Sequence, residues 1–173
     1  VRNTAFIATG LFLLLVQENL FRATGWVRIP GLSPSLVLPL ILFMGVHEYS
    51  LVRGASVAFL LGYLSDLVGI APVGLYTFTY VALFLLARAA GVRLAAQTVM
   101  MQFALALAFT LVHSVMILVL LAIFGRDAYV PRALYTAVLP HALATGAVAP
   151  LVFRLAERLH GATALATRAR EAD

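Results

Sequence analysis

Apolar residues gather in six runs along the chain, at Thr4–Leu20, Ser35–Val46, Val52–Val68, Val73–Ala87, Leu94–Phe124 and Ala133–Leu155. Within each run the polar positions are too few to mark a wet face, so the pattern is that of helices surrounded by hydrocarbon or protein rather than of amphipathic surface helices. At roughly 20 residues per crossing, this length of apolar sequence predicts an all-α bundle of about six membrane spans. The first run, preceded by Arg2 and followed by Ala23-Thr24-Gly25, also fits a signal peptide, but its length is close to that of a span. The second run is short and carries Pro39, which predicts a tilted or broken element, or one that continues past His47. Gly69-Ile70-Ala71-Pro72 between the third and fourth runs predicts a tight hairpin. The fifth run has no formal charge and can span even when strongly tilted. Pro140 and Pro150 predict kinks in the sixth.

Composition confirms the solvent. Of 173 residues 63% are hydrophobic and 11% charged, and mean hydropathy is +1.02, which excludes a sizeable soluble domain. There is no cysteine, which removes disulfides and thiolate chemistry together. The net charge of +5 arises from arginine alone, and the arginines stand singly at the ends of apolar runs, so they read as topology markers and not as a nucleic-acid surface. With six spans, one membrane face receives Arg2, Arg53, Arg88, Arg93, Arg154, Arg158, Arg168 and Arg170, and the other receives Arg22, Arg28, Arg126 and Arg132. The positive-inside rule then places both termini in the cytoplasm. Residues 1–159 read as one transmembrane domain, and residues 160–173 as a cytoplasmic tail, a weak helix or a flexible segment.

Ionisable groups inside apolar runs are costly, so each is a candidate site. Asp66 ranks first. Stepping back from it by four residues gives Gly62, Ala58 and Gly54, which puts a stripe of small side chains on one helix face ending in a carboxylate. Such a face accepts another helix closely: either a partner's, with Asp66 and the Gly74 hairpin fixing the outer end, or a neighbour from the same chain, with Asp66 capping the turn. His113 in the fifth run, His141 in the sixth and Tyr76 could line a cavity, although hydrogen-bonded neutral imidazoles explain the histidines more simply. Gln97 and Gln102 are read in the same way. His47, Glu48 and Arg53 form a charged group best explained as a mutual salt-bridge network. No zinc-protease, nucleophile-elbow, P-loop or dinucleotide motif occurs, and no aspartate cluster, so the chain is read as non-enzymatic and without a cofactor.

Pro34 before the second run, Gly54, Gly62-x-x-x-Asp66 and Gly74 together resemble the MreD family of bacterial rod shape-determining proteins. Gly146-x-x-x-Pro150 followed by Leu155 and Arg158 resembles that family's last helix and basic exit. The resemblance implies a multi-pass inner-membrane scaffold of the elongasome. Its partners would be the bitopic protein MreC, bound through its transmembrane helix, then the actin-like MreB, the glycosyltransferase RodA and a class B penicillin-binding protein. It also implies a fold similar to the substrate-binding subunits of energy-coupling-factor vitamin transporters, hence a second reading as a small-molecule-binding subunit. Where those subunits carry Ala-x-x-x-Ala on their first helix, this chain has Ala5-x-x-x-Thr9, a departure from their docking contact.

Overall fold

In the computed structural model the described residues are 2–24, 34–47, 50–68, 72–90, 98–124 and 132–171. They form six helices: α1 (Arg2–Thr24), α2 (Val37–His47), α3 (Leu51–Val68), α4 (Leu75–Ala89), α5 (Val99–Phe124) and α6 (Arg132–Glu171). The six apolar runs correspond to these six helices one to one. Three segments are long and apolar enough to cross a bilayer by length and composition, namely α3, α5 and Thr136–Ala162 of α6. The apolar part of α1, α2 and α4 are shorter. Glu48, Gln97, Gly69, Ile70 and Ala71 of the predicted turn, and most of the loop from Thr24 to Pro34 lie outside the described residues.

The arrangement is a ring of five helices around a sixth. Packing neighbours run α1 to α3, α3 to α4, α4 to α5, α5 to α6 and α6 back to α1, while α2 touches all five. All residues from Val37 to Val46 are buried, so the short, proline-bearing run is the axis of the bundle. Pro39 is tolerated because it falls in the first helical turn, where its missing N–H has no helical acceptor to lose. Around α2 the packing is close. Phe43 stacks on His47 at 4.1 Å between centroids and meets Phe153 of α6 edge-on at 5.8 Å. A Cβ on Gly45 would lie 2.9 Å from that of Ala87, so α2 and α4 approach through a glycine.

Contacts along α2 orient the ring. Ser35, just before α2, bonds Thr145, whereas Phe43 near its far end meets Phe153 and His160, so α2 and α6 run parallel. The end of α2 at His47 leads into α3, and α4 returns to the same end. Arg53, Arg88, Arg154 and Arg158 therefore share one end of the bundle, and Asp66, Gly74 and Ser35 lie toward the other. Helix α6 continues through Pro140 and Pro150 as far as Glu171, so residues 160–171 extend the last helix. Large apolar side chains cover the outside, among them Phe12 at 61% exposure, Val52 at 73%, Met100 at 82% and Leu151 at 69%. Such a surface suits acyl chains as solvent.

Candidate functional site

Asp66 sits in the last turn of α3 with 2% exposure. Its Oδ1 accepts the Tyr76 N–H at 2.8 Å, and its Oδ2 accepts the Gly74 N–H at 2.9 Å, the Thr77 N–H at 3.0 Å and the Thr77 hydroxyl at 2.6 Å. The first N–H groups of a helix have no partner within it, and they carry the positive end of the helix dipole. Asp66 therefore supplies α4 with a charged cap from the preceding helix, bridging a turn that local side chains leave uncapped. Gly74 makes that turn possible: its φ of +100° lies in the left-handed region, and its carbonyl accepts the Phe78 N–H at 2.9 Å.

The rest of the stripe points the same way. A Cβ on Gly62 would lie 2.5 Å from Thr77 Cα and 2.8 Å from the Tyr76 carbonyl oxygen, and one on Gly54 would collide with the Phe84 ring. Ala58 is fully buried. Gly54, Ala58, Gly62 and Asp66 thus form the seam between α3 and α4 of one chain. The groove that the spacing predicted exists, and the chain's own fourth helix fills it. At Gly62 the backbones of the two helices are already in contact.

Of the second group, Tyr76 and His113 come together with ring centroids 6.0 Å apart, and His141 lies near enough to His113 for the two imidazoles to interact electrostatically. Tyr80 completes the cluster, 5.5 Å from His113 and 5.9 Å from Tyr76. Sequence reasoning missed it, although a tyrosine four residues after Tyr76 shares its helix face. The Tyr80 hydroxyl faces the Ser35 and Ser65 side chains. Thr110 and Ser114, the hydroxyls flanking His113 on α5, bond carbonyls of their own helix at 2.6 Å and 2.9 Å. His113, 3% exposed, leaves its Nδ1 without a hydrogen-bond partner.

A third polar constellation went unnoticed in the sequence. At the start of α2 the Leu36 N–H donates to Gln17 Oε1 of α1 at 2.9 Å, and the Ser35 N–H donates to Thr145 Oγ1 of α6 at 3.0 Å. The Ser35 hydroxyl accepts the Leu38 N–H at 3.4 Å. Two surrounding helices thus cap the central one, and no local spacing encodes that. Of the expected charged group, His47 faces the Phe43 carbonyl at 3.1 Å and Arg53 is exposed. Among the described residues no group of three or more His, Cys, Asp or Glu could hold a metal ion.

These features define a class: a helical integral membrane protein in which a buried carboxylate, Asp66, and the polar side chains at the head of its central helix hold helix ends in place. The chain belongs to the MreD family, matching rod shape-determining protein MreD over residues 2–159. That family is a membrane protein family of the bacterial shape-determining system, which gives this chain a role in rod-shape determination. No curated protein and no solved structure matches the chain, so the expected likeness to vitamin-transporter subunits rests on the family resemblance alone.

Proposed function

We propose that the chain is a non-enzymatic inner-membrane scaffold that binds the transmembrane helix of MreC and helps position peptidoglycan synthesis, in a larger complex with MreB, RodA and a class B penicillin-binding protein. Both termini are cytoplasmic in this reading, in keeping with the shared end of Arg53, Arg88, Arg154 and Arg158. The observation that carries the reading is the use of Asp66. Both of its oxygens are occupied by α4, which leaves it a structural group and no proton shuttle. Because α4 closes the small-residue stripe, Gly54, Ala58, Gly62, Asp66 and Gly74 serve the partner indirectly, by fixing the shape of the α3–α4 hairpin. MreC then meets an outer face.

Cysteine scanning tests this, since the chain contains none. Single cysteines at the exposed positions Phe12, Phe59, Phe78, Val115 and Leu151, and at buried Ala58, would be paired with cysteines along the MreC helix. Linked product is expected at one or more outer positions and none at Ala58. Product at none of the outer positions, with MreC present in the same membranes, would remove direct helix contact from the proposal.

A second reading, a small-molecule-binding membrane subunit of the vitamin-transporter kind, draws on the unpartnered His113 Nδ1 beside Tyr76, Tyr80 and His141. Ligand density against His113 that vanishes in His113→Phe would favour it. Side chains alone filling that space would count against it.

A further inference from the structure

The bundle is not the same height all round. Helix α3 is 18 residues long, but the exposed Arg53 near its start marks a polar boundary, and beyond it Gly54–Val68 spans about 22 Å at 1.5 Å per residue, its one charged residue, Asp66, being bonded inward to α4. On α4, Leu75–Ala87 before Arg88 offers about 20 Å. On α1, Asn3–Gln17 between Arg2 and Glu18 offers about 22 Å. These three helices are neighbours in the ring. On the other side, α5 is charge-free over all 26 residues, about 39 Å, and Ala133–Phe153 of α6 gives about 31 Å. A typical hydrocarbon core is about 30 Å thick, so one side of the ring matches or exceeds it while the other falls short by about 8–10 Å.

Within the described helices the short side has no further length to make up the difference. Tilting shortens a helix's reach along the membrane normal and helps only the long side. Arginine side chains can reach outward at the Arg53 and Arg88 end. At the other end Asp66, which might draw headgroups and water inward, is fully engaged with α4. The outer faces of the short helices are nonetheless apolar, with Phe12, Phe59 and Phe78 each more than half exposed.

We propose that the α1–α3–α4 face is a lipid-binding surface that thins the bilayer locally: the acyl chains against it are compressed toward about 20–22 Å, while those against α5 and α6 keep their ordinary length. Through this asymmetry the protein imposes a thickness gradient on the membrane around it. The inference depends on insertion in a bilayer and is independent of MreC.

The purified full chain, reconstituted in phosphatidylcholine vesicles with short, medium or long monounsaturated chains, provides the test. Single nitroxide labels would replace Val52 and Val68 near the ends of α3, Phe59 between them, and Val115 on α5. Depth is read from collision with oxygen against a water-soluble nickel chelate. The Val52 and Val68 labels are expected at the headgroup boundary in all three lipids, and the Phe59 depth is expected to change by less than half as much as that of Val115. Labels at Val52 and Val68 that sink into the hydrocarbon as the chains lengthen would overturn the proposal, because the helix would then be submerged. Low oxygen collision at Phe59 in every lipid would overturn it too, by showing protein and not acyl chains on that face.

Discussion

Replacing Asp66 by alanine strips four donors at the start of α4 of their acceptor. Gly74 is exposed and its N–H can turn to water or headgroups, and Tyr76 is half-buried. Thr77 is buried, so its N–H loses its bond outright, while its hydroxyl can swing to a carbonyl of the preceding turn. Counting about 1–3 kcal/mol for the stranded N–H and about 1 kcal/mol for the loss of the remaining charged cap gives a cost of about 2–4 kcal/mol. That is roughly a thirty- to several-hundred-fold shift in the folding equilibrium. Unfolding by sodium dodecyl sulfate out of mixed micelles, followed by circular dichroism, measures it directly.

Asparagine is the sharper probe. Every group facing the two oxygens is a donor, so an amide must aim its own N–H₂ at the Tyr76 N–H or at the Gly74 and Thr77 N–H groups. Asp66→Asn is therefore expected to fall between wild type and alanine, losing about 1–3 kcal/mol, despite its identical shape. Combined with Thr77→Val it should show clear coupling in a double-mutant cycle, because Thr77 provides two of the four bonds. An alanine variant within about 0.5 kcal/mol of wild type, or an asparagine variant equal to it, would refute the capping role.

The glycines of the seam should separate by what they touch. Gly62→Ala meets backbone at 2.5 Å and must part α3 from α4, so it should cost more than the about 1–3 kcal/mol of ordinary overpacking. Gly54→Ala meets the fully buried Phe84 ring, a side chain and not backbone, and should cost less than Gly62→Ala in the same titration. Gly74→Ala has open space around it, so its penalty comes from the backbone alone, about 1–2 kcal/mol. His113→Phe removes an unpartnered buried nitrogen and is expected to leave stability unchanged or raise it; a loss of about 2 kcal/mol or more would show that the imidazole holds a partner after all.

The six helices are readable in the sequence because charges, prolines and glycines fall between the apolar runs, and the α3–α4 hairpin is readable from its turn. The role of α2 is not. In water a helix that is apolar all round announces that it is buried, but every helix in a bilayer is apolar all round, so hydrophobicity no longer separates the axis of the bundle from its rim. What marks packing there is side-chain size, and this is why the Gly54, Ala58, Gly62 stripe was legible as a close helix approach. Size does not say which helix approaches. The answer, α4, lay in Thr77 and Phe84, residues unremarkable until the chain is folded. Gln17 and Thr145 were hidden for a related reason: each caps α2 from a helix distant in sequence.

The placement of the polar groups then has one cause. A helix too short to cross the bilayer must end within or near its apolar layer, where water cannot satisfy its first N–H groups. Helices α2 and α4 begin at such ends, and each receives acceptors from outside its own turns: Gln17, Thr145 and Ser35 for one, Asp66 for the other. The polar residues that looked like candidates for chemistry are, for the most part, those the short helices require. His113 stands outside this account. It lies in the middle of the longest charge-free helix and caps nothing, so it is the residue at which a ligand-binding role and a purely architectural one part company.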